Sequence, residues 1–268
     1  MQFKALAIDL DGTLLVGEKI PPDNIVAVRA ARDAGLKIII ATARWHHMAR
    51  RVADELEIDG PMIACSGAQV HLSAEDRDIF DQRLPADFVT DLYRICDAER
   101  CVATVTVSDR VLLKLDGEPD RKLMMPEMSW VRRLEGAADS LPRVAAIQGG
   151  RVNTRIREEL EPRYRERVHF FDSIGPTGKI ILTITASTAS KGAALQAACR
   201  HMELQPREVV AFGDAENDIE MFRVAGASVA MGQASAEVKA MATAVTSRND
   251  EAGVARAIER LLANGEVG

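Results

Sequence analysis

An apolar stretch long enough to cross a bilayer, about 20 residues, is absent from this sequence, and with it any basis for expecting a membrane partner. Basic residues are not in excess. Lys and Arg total 34 against 40 Asp and Glu, and the formal net charge of −6 lacks the positive footprint that nucleic-acid binding requires. A chain with this balance needs locally placed positive charge, or a metal, to hold an anionic substrate. Cysteine is scarce and scattered: Cys65, Cys96, Cys101 and Cys199 form no CxxC pair, so they read as reduced, mostly buried thiols. The opening MQFKALAIDLDG carries one lysine and then acids inside its apolar run, unlike a secretory signal, and the expected location is cytoplasmic. Fixed-period repeats and low-complexity segments are also missing.

What is present is ample apolar material, 47% of the residues, with 28% charged, enough for one large domain or two modest ones. The first third alternates short apolar runs (FKALAIDL, LKIIIAT, PMIACSG) with helix-period segments at 21–34 and 45–57. Runs apolar at every position, such as KIII, suit strands buried on both faces, and strand–helix alternation implies a parallel sheet covered by helices. The last third returns to the same style, through SKGAALQAACRHMEL, REVVAFGD, NDIEMFRVAG and a closing helix. Between them the pattern changes. CVATVTVSDRVLLKL reads as two strands around a turn at 108–110, followed by RVAAIQGG, VHFFDS and KIILTITA, with helices at 86–100 and 154–167. The expected architecture is an α/β core with a Rossmann-like parallel sheet, built from residues 1–82 and 187–268. An inserted α+β domain occupies 83–186.

In an open parallel sheet, ligands bind beyond the carboxyl ends of the strands. Four polar features fall there: Asp9 and Asp11 after the first strand, Thr42 after KIIIA, Lys191 opening the helix after the insertion, and GDAEND, residues 213–218. Asp9, Asp11 and Asp214 offer hard oxygen donors suited to Mg²⁺, and a cation relieves the repulsion between them. A carboxylate can also attack phosphorus, while the Thr42 hydroxyl and the Lys191 ammonium can neutralise phosphoryl oxygens. Each feature has an ordinary reading as well. Lys191 can be a surface lysine, Thr42 a β-branched strand residue, and Asp214 and Asp218 helix caps.

Taken in order, DLDGTL, TAR, SKGAAL and GDAENDIEM resemble the four motifs of the haloacid dehalogenase-like (HAD) phosphohydrolases. The insertion between the second and third is similar to the cap domain of the Cof-type subfamily, as are CSGAQV and SRNDEAGVARAI. The resemblance implies a Mg²⁺-dependent phosphatase acting on a small phosphorylated metabolite such as a sugar phosphate, with the cap reading the substrate beyond its phosphate. It makes Asp9 the nucleophile and Asp11 the general acid/base. Mg²⁺ would be held by the Asp9 carboxylate, the Asp11 backbone carbonyl and Asp214. Thr42, Ala43, Lys191 and Asn217 would bind the phosphoryl group, and Asp218 would orient Lys191 or metal-bound water. Arg44, Ser66 and Gly67 would meet the substrate near the entrance. Two positions depart from the family pattern: Ala43 stands for the usual Gly of TGR, and Ser66 for the usual Asn of NGA. A sugar phosphomutase of similar machinery and a non-catalytic phosphometabolite sensor are the alternatives. His46 and His47 read as surface histidines, and Met124, Met125 and Met128 as filling or a flexible surface of the cap.

Overall fold

Large and small apolar residues alternate along strand β1 (Ala5–Ile8), and this sets the layering of the first of two compact units. Leu6 and Ile8 join one core, Ala5 and Ala7 the other, as the two-residue period of a strand requires. The computed structural model describes residues 2–174 and 178–267. Helix α1 (Pro22–Asp33) has Pro at its first position, and Gly35, at φ +91°, lies just beyond its end. Strand β2 (Lys37–Ala41) runs parallel to β1, helix α2 (His46–Leu56) follows, and β3 (Met62–Ala64) runs parallel to β2. Strands β4 (Gln69–Leu72) and β5 (Arg77–Asp81) were not anticipated. They are short, and β5 carries Arg77, Asp78 and Asp81, a charged edge of the kind that blocks further pairing and hides the strand pattern.

The chain divides into Met1–Phe80 with Ser190–Gly268, and Asp81–Ala189; the sequence reading had set the edges of the insertion at 83 and 186. The second unit comprises α3 (Ala86–Ala98), β6 (Val102–Val107), β7 (Arg110–Lys114), β8 (Met128–Val131), β9 (Val144–Gln148), α4 (Gly150–Glu159), α5 (Glu161–Tyr164), β10 (Val168–Ile174) and β11 (Ile180–Ala186). Its sheet runs β10-β11-β9-β6-β7-β8, antiparallel except where β7 meets β8. Ala103, Val105, Ala145 and Ile147 pack with Phe88, Leu92 and Ile95 of α3, leaving the intervening Thr104 and Ala146 half-buried. One expectation is corrected here. The helix read at 154–167 is two helices meeting at Leu160, because Pro162 cannot donate an N–H within a continuous helix. Met128 belongs to β8, where it pairs with Val111 and is half-buried. The unit's entry and exit are joined: the Thr188 hydroxyl donates to Gln82 Oε1 at 2.6 Å.

The first unit resumes with α6 (Lys191–His201), β12 (Val209–Gly213), α7 (Ile219–Val224), β13 (Ala227–Ala230), α8 (Ala236–Met241), β14 (Ala244–Val245) and α9 (Gly253–Asn264). The eight-stranded order is β14-β13-β12-β1-β2-β3-β4-β5, with β14 to β3 parallel and β4 antiparallel to β3. Alanines 5, 7, 41 and 211 share a core with Ala194, Ala197 and Ala198 of α6, so this helix lies close to the sheet. It also lies close to α7: a Cβ on Gly192 would stand 2.4 Å from the Glu220 carbonyl oxygen. Leu6, Ile8, Ile38, Ile40 and Phe212 make the opposite, larger core with Val28, Ala31, Val254 and Ile258. Ile8 is in register with Ile40 and with Phe212, which brings the carboxyl ends of β1, β2 and β12 level. Among the described residues no helix is long and apolar enough to cross a membrane.

Buried Asn24 ties three segments together. Its amide donates to the Leu14 carbonyl at 3.1 Å, and its Oδ1 accepts from Ala255 N at 3.1 Å. Asn24→Ala strands both backbone groups in the core, and a loss of about 2–4 kcal/mol is expected. The midpoint of urea unfolding measures it, and an unchanged midpoint would remove Asn24 from the account.

Candidate active site

β1 ends at Ile8, and the next residue, Asp9, donates its N–H to the Phe212 carbonyl of β12 at 3.0 Å. The parallel ladder therefore carries one step further and fixes the Asp9 backbone. Helix α6 begins at Lys191, directly after Ser190, whose Oγ accepts from Ala193 N. The close packing of α6 on the alanine face buries Lys191 to 1% exposure. Its ammonium donates to Asp9 Oδ1 and to Asp218 Oδ1, both at 2.6 Å. Asp218 Oδ2 accepts from the N–H groups of Asp214 and Ala215 at 3.0 Å each, so the loop after β12 is folded around this carboxylate. Burial opposes the charge on Lys191, but Asp218 and Asp9 outweigh it and push its pKa up. Burial pushes the Asp9 carboxyl well above the usual range; Lys191 pulls it down, while Asp218 and Asp214 add to the rise.

Asp214 lies beside this triad. The Thr13 hydroxyl donates to its Oδ1 at 3.0 Å. Gly12, at φ +82°, crosses directly over it: a Cβ there would stand 2.4 Å from Asp214 Oδ2. Glycine is thus required at this position both by the backbone conformation and by the close approach. Single carboxylate oxygens of Asp9, Asp214 and Asp218 lie within 4.8 Å of one another. Three carboxylates against one buried ammonium leave excess negative charge. That donor set fits a hard divalent cation such as Mg²⁺. Asp218, with its oxygens bonded to Lys191 and two backbone N–H groups, is suited to orienting rather than ligating.

Thr42, buried at the end of β2, accepts the Arg44 N–H at 3.1 Å on its Oγ1, which leaves the hydroxyl proton for another acceptor. Ala43 between them is exposed. The Arg44 guanidinium forks onto Asp11, with Nε 2.9 Å from Oδ2 and Nη2 2.5 Å from Oδ1, and reaches Glu18 at 2.8 Å. Asp11 itself is exposed. The two aspartates thus diverge: Asp9 faces the buried lysine, and the exposed Asp11 faces the half-buried Arg44. Cys65, Ser66 and Gly67 form a left-handed turn, with φ +53°, +56° and +88°. This turn leans on the start of α6, since a Cβ on Gly67 would stand 2.2 Å from the Ser190 carbonyl carbon. Ser66 N donates to the Thr42 carbonyl, and its buried Oγ has no partner among the described residues. Asn217 Oδ1 is likewise buried without one.

Three contributors went unread in the sequence. Thr13 lay inside DLDGTL without a role. Gln233, just past β13, donates Nε2 to the Gly12 carbonyl at 2.5 Å, hydrogen-bonds Asp214, and accepts from Asn249 N at 3.1 Å. Asn249 in turn donates to the Leu15 carbonyl at 2.9 Å, so the SRND segment braces the aspartate loop. Thr13 and Asn249 lie within DLDGTL and SRNDEAGVARAI, the segments read as family-like, whereas Gln233 carried no signal of its own. The histidine expectation is corrected in part: His46 is 7% exposed and stacks on His71 at 4.5 Å, whose Nδ1 lies 2.9 Å from Asp78 Oδ1.

Residues 6–258 match the profile of the haloacid dehalogenase-like hydrolases. The chain belongs to that family. Its α/β fold and its nature as a hydrolytic enzyme agree with the sequence reading. Among curated relatives, this HAD-like hydrolase is 28% identical to 5-amino-6-(5-phospho-D-ribitylamino)uracil phosphatase YwtE of Bacillus subtilis (strain 168), over 97% of this chain and 98% of that one. It is 25% identical to the phosphoglycolate phosphatase of Methanothermobacter thermautotrophicus, over 97% and 99%. Among solved structures, the HAD subclass IIB sugar phosphatase BT4131 superposes with TM-score 0.79 at 26% identity, over 96% and 98%. A haloacid dehalogenase-like hydrolase from Bacteroides thetaiotaomicron superposes at 0.84 with 24% identity, over 97% and 99%, a likeness of fold.

Burial, then Asp218, pushes the Asp214 carboxyl up to about 6. An acid raised on folding holds its proton more tightly folded than unfolded. It therefore weakens the fold as pH climbs from its unfolded value of 3.8 through about 6. The metal-free protein is expected to lose about 2–3 kcal/mol more across this window than Asp214→Asn does. Urea titrations at both ends of the window measure the difference, and parallel pH profiles for the two proteins would contradict it.

Proposed function

We propose that this HAD-like hydrolase is a Mg²⁺-dependent phosphatase of small phosphorylated metabolites, working through an aspartyl-phosphate on Asp9. The observation that carries the reading is the buried Lys191 ammonium shared by Asp9 and Asp218 beside Asp214 and Thr13. Lys191 holds Oδ1 of Asp9, and the second carboxylate oxygen is the nucleophile. It attacks phosphorus, the bond from phosphorus to the leaving oxygen breaks, and Asp11 delivers a proton to that oxygen. Asp11 then takes a proton from water, which attacks the same phosphorus and releases Asp9 and inorganic phosphate. Lys191, the Thr42 hydroxyl and Asn217 meet the phosphoryl oxygens; the Arg44 fork orients Asp11. Asp9, Asp214 and the Asp11 backbone carbonyl would hold Mg²⁺, whose chemistry here is to neutralise charge on the transferring phosphoryl group.

The relatives act on a phosphorylated ribitylaminouracil, on phosphoglycolate and on sugar phosphates. Their common feature is a phosphomonoester on a small organic body, and the substrate class proposed here is the same. Residues 83–186 supply the cap that reads that body.

The division of labour between the aspartates gives the test. With Mg²⁺ and a panel of these phosphomonoesters, Asp9→Asn is expected to abolish phosphate release and covalent labelling. Asp11→Asn is expected to lower kcat about 10²–10⁴-fold, with a phosphoenzyme that forms and decays slowly. Equal defects in the two variants, both cured by more Mg²⁺, would overturn the assignment. Isomerised sugar phosphate without inorganic phosphate would instead mark a mutase.

A further inference from the structure

The second unit holds a buried group that the proposed chemistry does not use. Lys114, on β7, is 3% exposed, and its ammonium donates to the Glu99 carbonyl at 2.8 Å, to Asp116 Oδ1 at 3.3 Å and to Cys101 Sγ at 3.6 Å. A lysine buried this deeply needs partners able to bear negative charge, and a sulfur is one of its three. Cys101 stands one residue before β6 and packs against the end of α3, where its Sγ lies 3.6 Å from the Cys96 carbonyl oxygen. Cys96 and Cys101 belong to the same buried apolar cluster.

We infer that Cys101 is a site of oxidative modification by peroxides, with Cys96 as its resolving thiol. Two independent features make the pair suitable. The charge arrangement favours a thiolate at Cys101: as a thiol it donates to the Cys96 carbonyl, and as a thiolate it accepts from the Lys114 ammonium. The neighbouring Cys96 thiol and Lys114 outweigh burial and Asp116, and hold Cys101 at about 7. Cys101 is 5% exposed, and it lines an open depression of about 440 Å³ with Arg100, Leu115, Asp116 and Gln148, the side from which a peroxide approaches. Cys199 shows the opposite environment, an alanine-rich core where burial pushes its thiol up to about 11. The reaction balances with the peroxide as oxidant. The Cys101 thiolate attacks one peroxide oxygen, the O–O bond breaks, and the distal oxygen leaves as hydroxide or alkoxide. The Cys96 sulfur then attacks the sulfenic sulfur, the S–O bond breaks, and water departs with the Cys96 proton. Two thiols are oxidised to one disulfide while the peroxide O–O bond is reduced.

The test uses the reduced full-length protein with stoichiometric hydrogen peroxide, followed by rapid alkylation and peptide mass mapping. The expected product is a Cys96–Cys101 disulfide, lighter by two hydrogens, with Cys65 and Cys199 still alkylatable. Cys96→Ser is expected to stop at a sulfenic acid on Cys101 that dimedone captures. Lys114→Met is expected to slow alkylation of Cys101 at neutral pH by about tenfold, as the thiolate fraction falls, and Lys114→Arg to retain most of the rate. Circular dichroism confirms that each variant is folded. If Lys114→Met does not fold, the dimedone result on Cys96→Ser decides alone. Oxidation that begins at Cys65 or Cys199, or a Cys96→Ser protein that yields no dimedone adduct on Cys101, would overturn the inference.

Discussion

A single buried ammonium organises the first unit. Lys191 is held between Asp9 and Asp218, residues separated by most of the chain, and each of the three would be an uncompensated buried charge without the others. The arrangement depends on the fold beneath it. Alanines on one face of β1, β2 and β12 let α6 approach, the parallel register levels the three strand ends, and the N-terminal residue of α6 then projects its charge onto Asp9. The helix dipole disfavours a cation in that place, so two carboxylates are needed to hold it. The two carboxylates already exceed the one ammonium, and Asp214 adds a third. Burial, then Asp218, raises the Asp214 carboxyl above its usual range.

Around that centre the chain supplies braces rather than further charge. Gly12 passes over Asp214 where any side chain would collide, Thr13 donates to it, and Gln233 and Asn249 hold the loop from the far end of the sequence. On the other side, the left-handed turn at Cys65–Gly67 abuts the first residues of α6. The site therefore rests on backbone contacts made by small residues and on amide hydrogen bonds, both of which resist displacement more than long flexible side chains do.

Much of this was legible in the sequence where the physical signal is local. Uninterrupted apolar runs announced the central parallel strands, Pro and Gly marked the ends of α1, and the order of the acidic and basic motifs announced which residues belong together. What escaped notice depends on contacts distant in sequence. β4, β5 and β8 are short and carry charged or mixed residues, so their pairing arises from the neighbouring strand rather than from their own pattern. Gln233 and Asn249 are unremarkable polar residues until the fold brings them to Gly12 and Leu15. His46 and His47 read as surface residues because adjacent helix positions point apart, whereas in the fold His46 is buried and stacks on His71 of β4. Leu160 marks a break that Pro162 foretold and a continuous 3.6-residue pattern concealed.

The hydrogen bond between Thr188 and Gln82 has a consequence for how the chain assembles. An insertion spanning Asp81–Ala189 would, as a flexible coil, impose a long loop on the first unit each time α6 is brought back beside β1. The second unit has its own apolar core, and this bond joins side chains one residue inside each of its two ends. Once it has folded, the loop the first unit must close shrinks to a few residues. By the logarithmic dependence of closure entropy on length, that reduces the cost of bringing Lys191 to Asp9 by about 2 kcal/mol. Order in the insertion is in this sense a contribution to the pairing of two residues outside it, made through chain statistics rather than through contact.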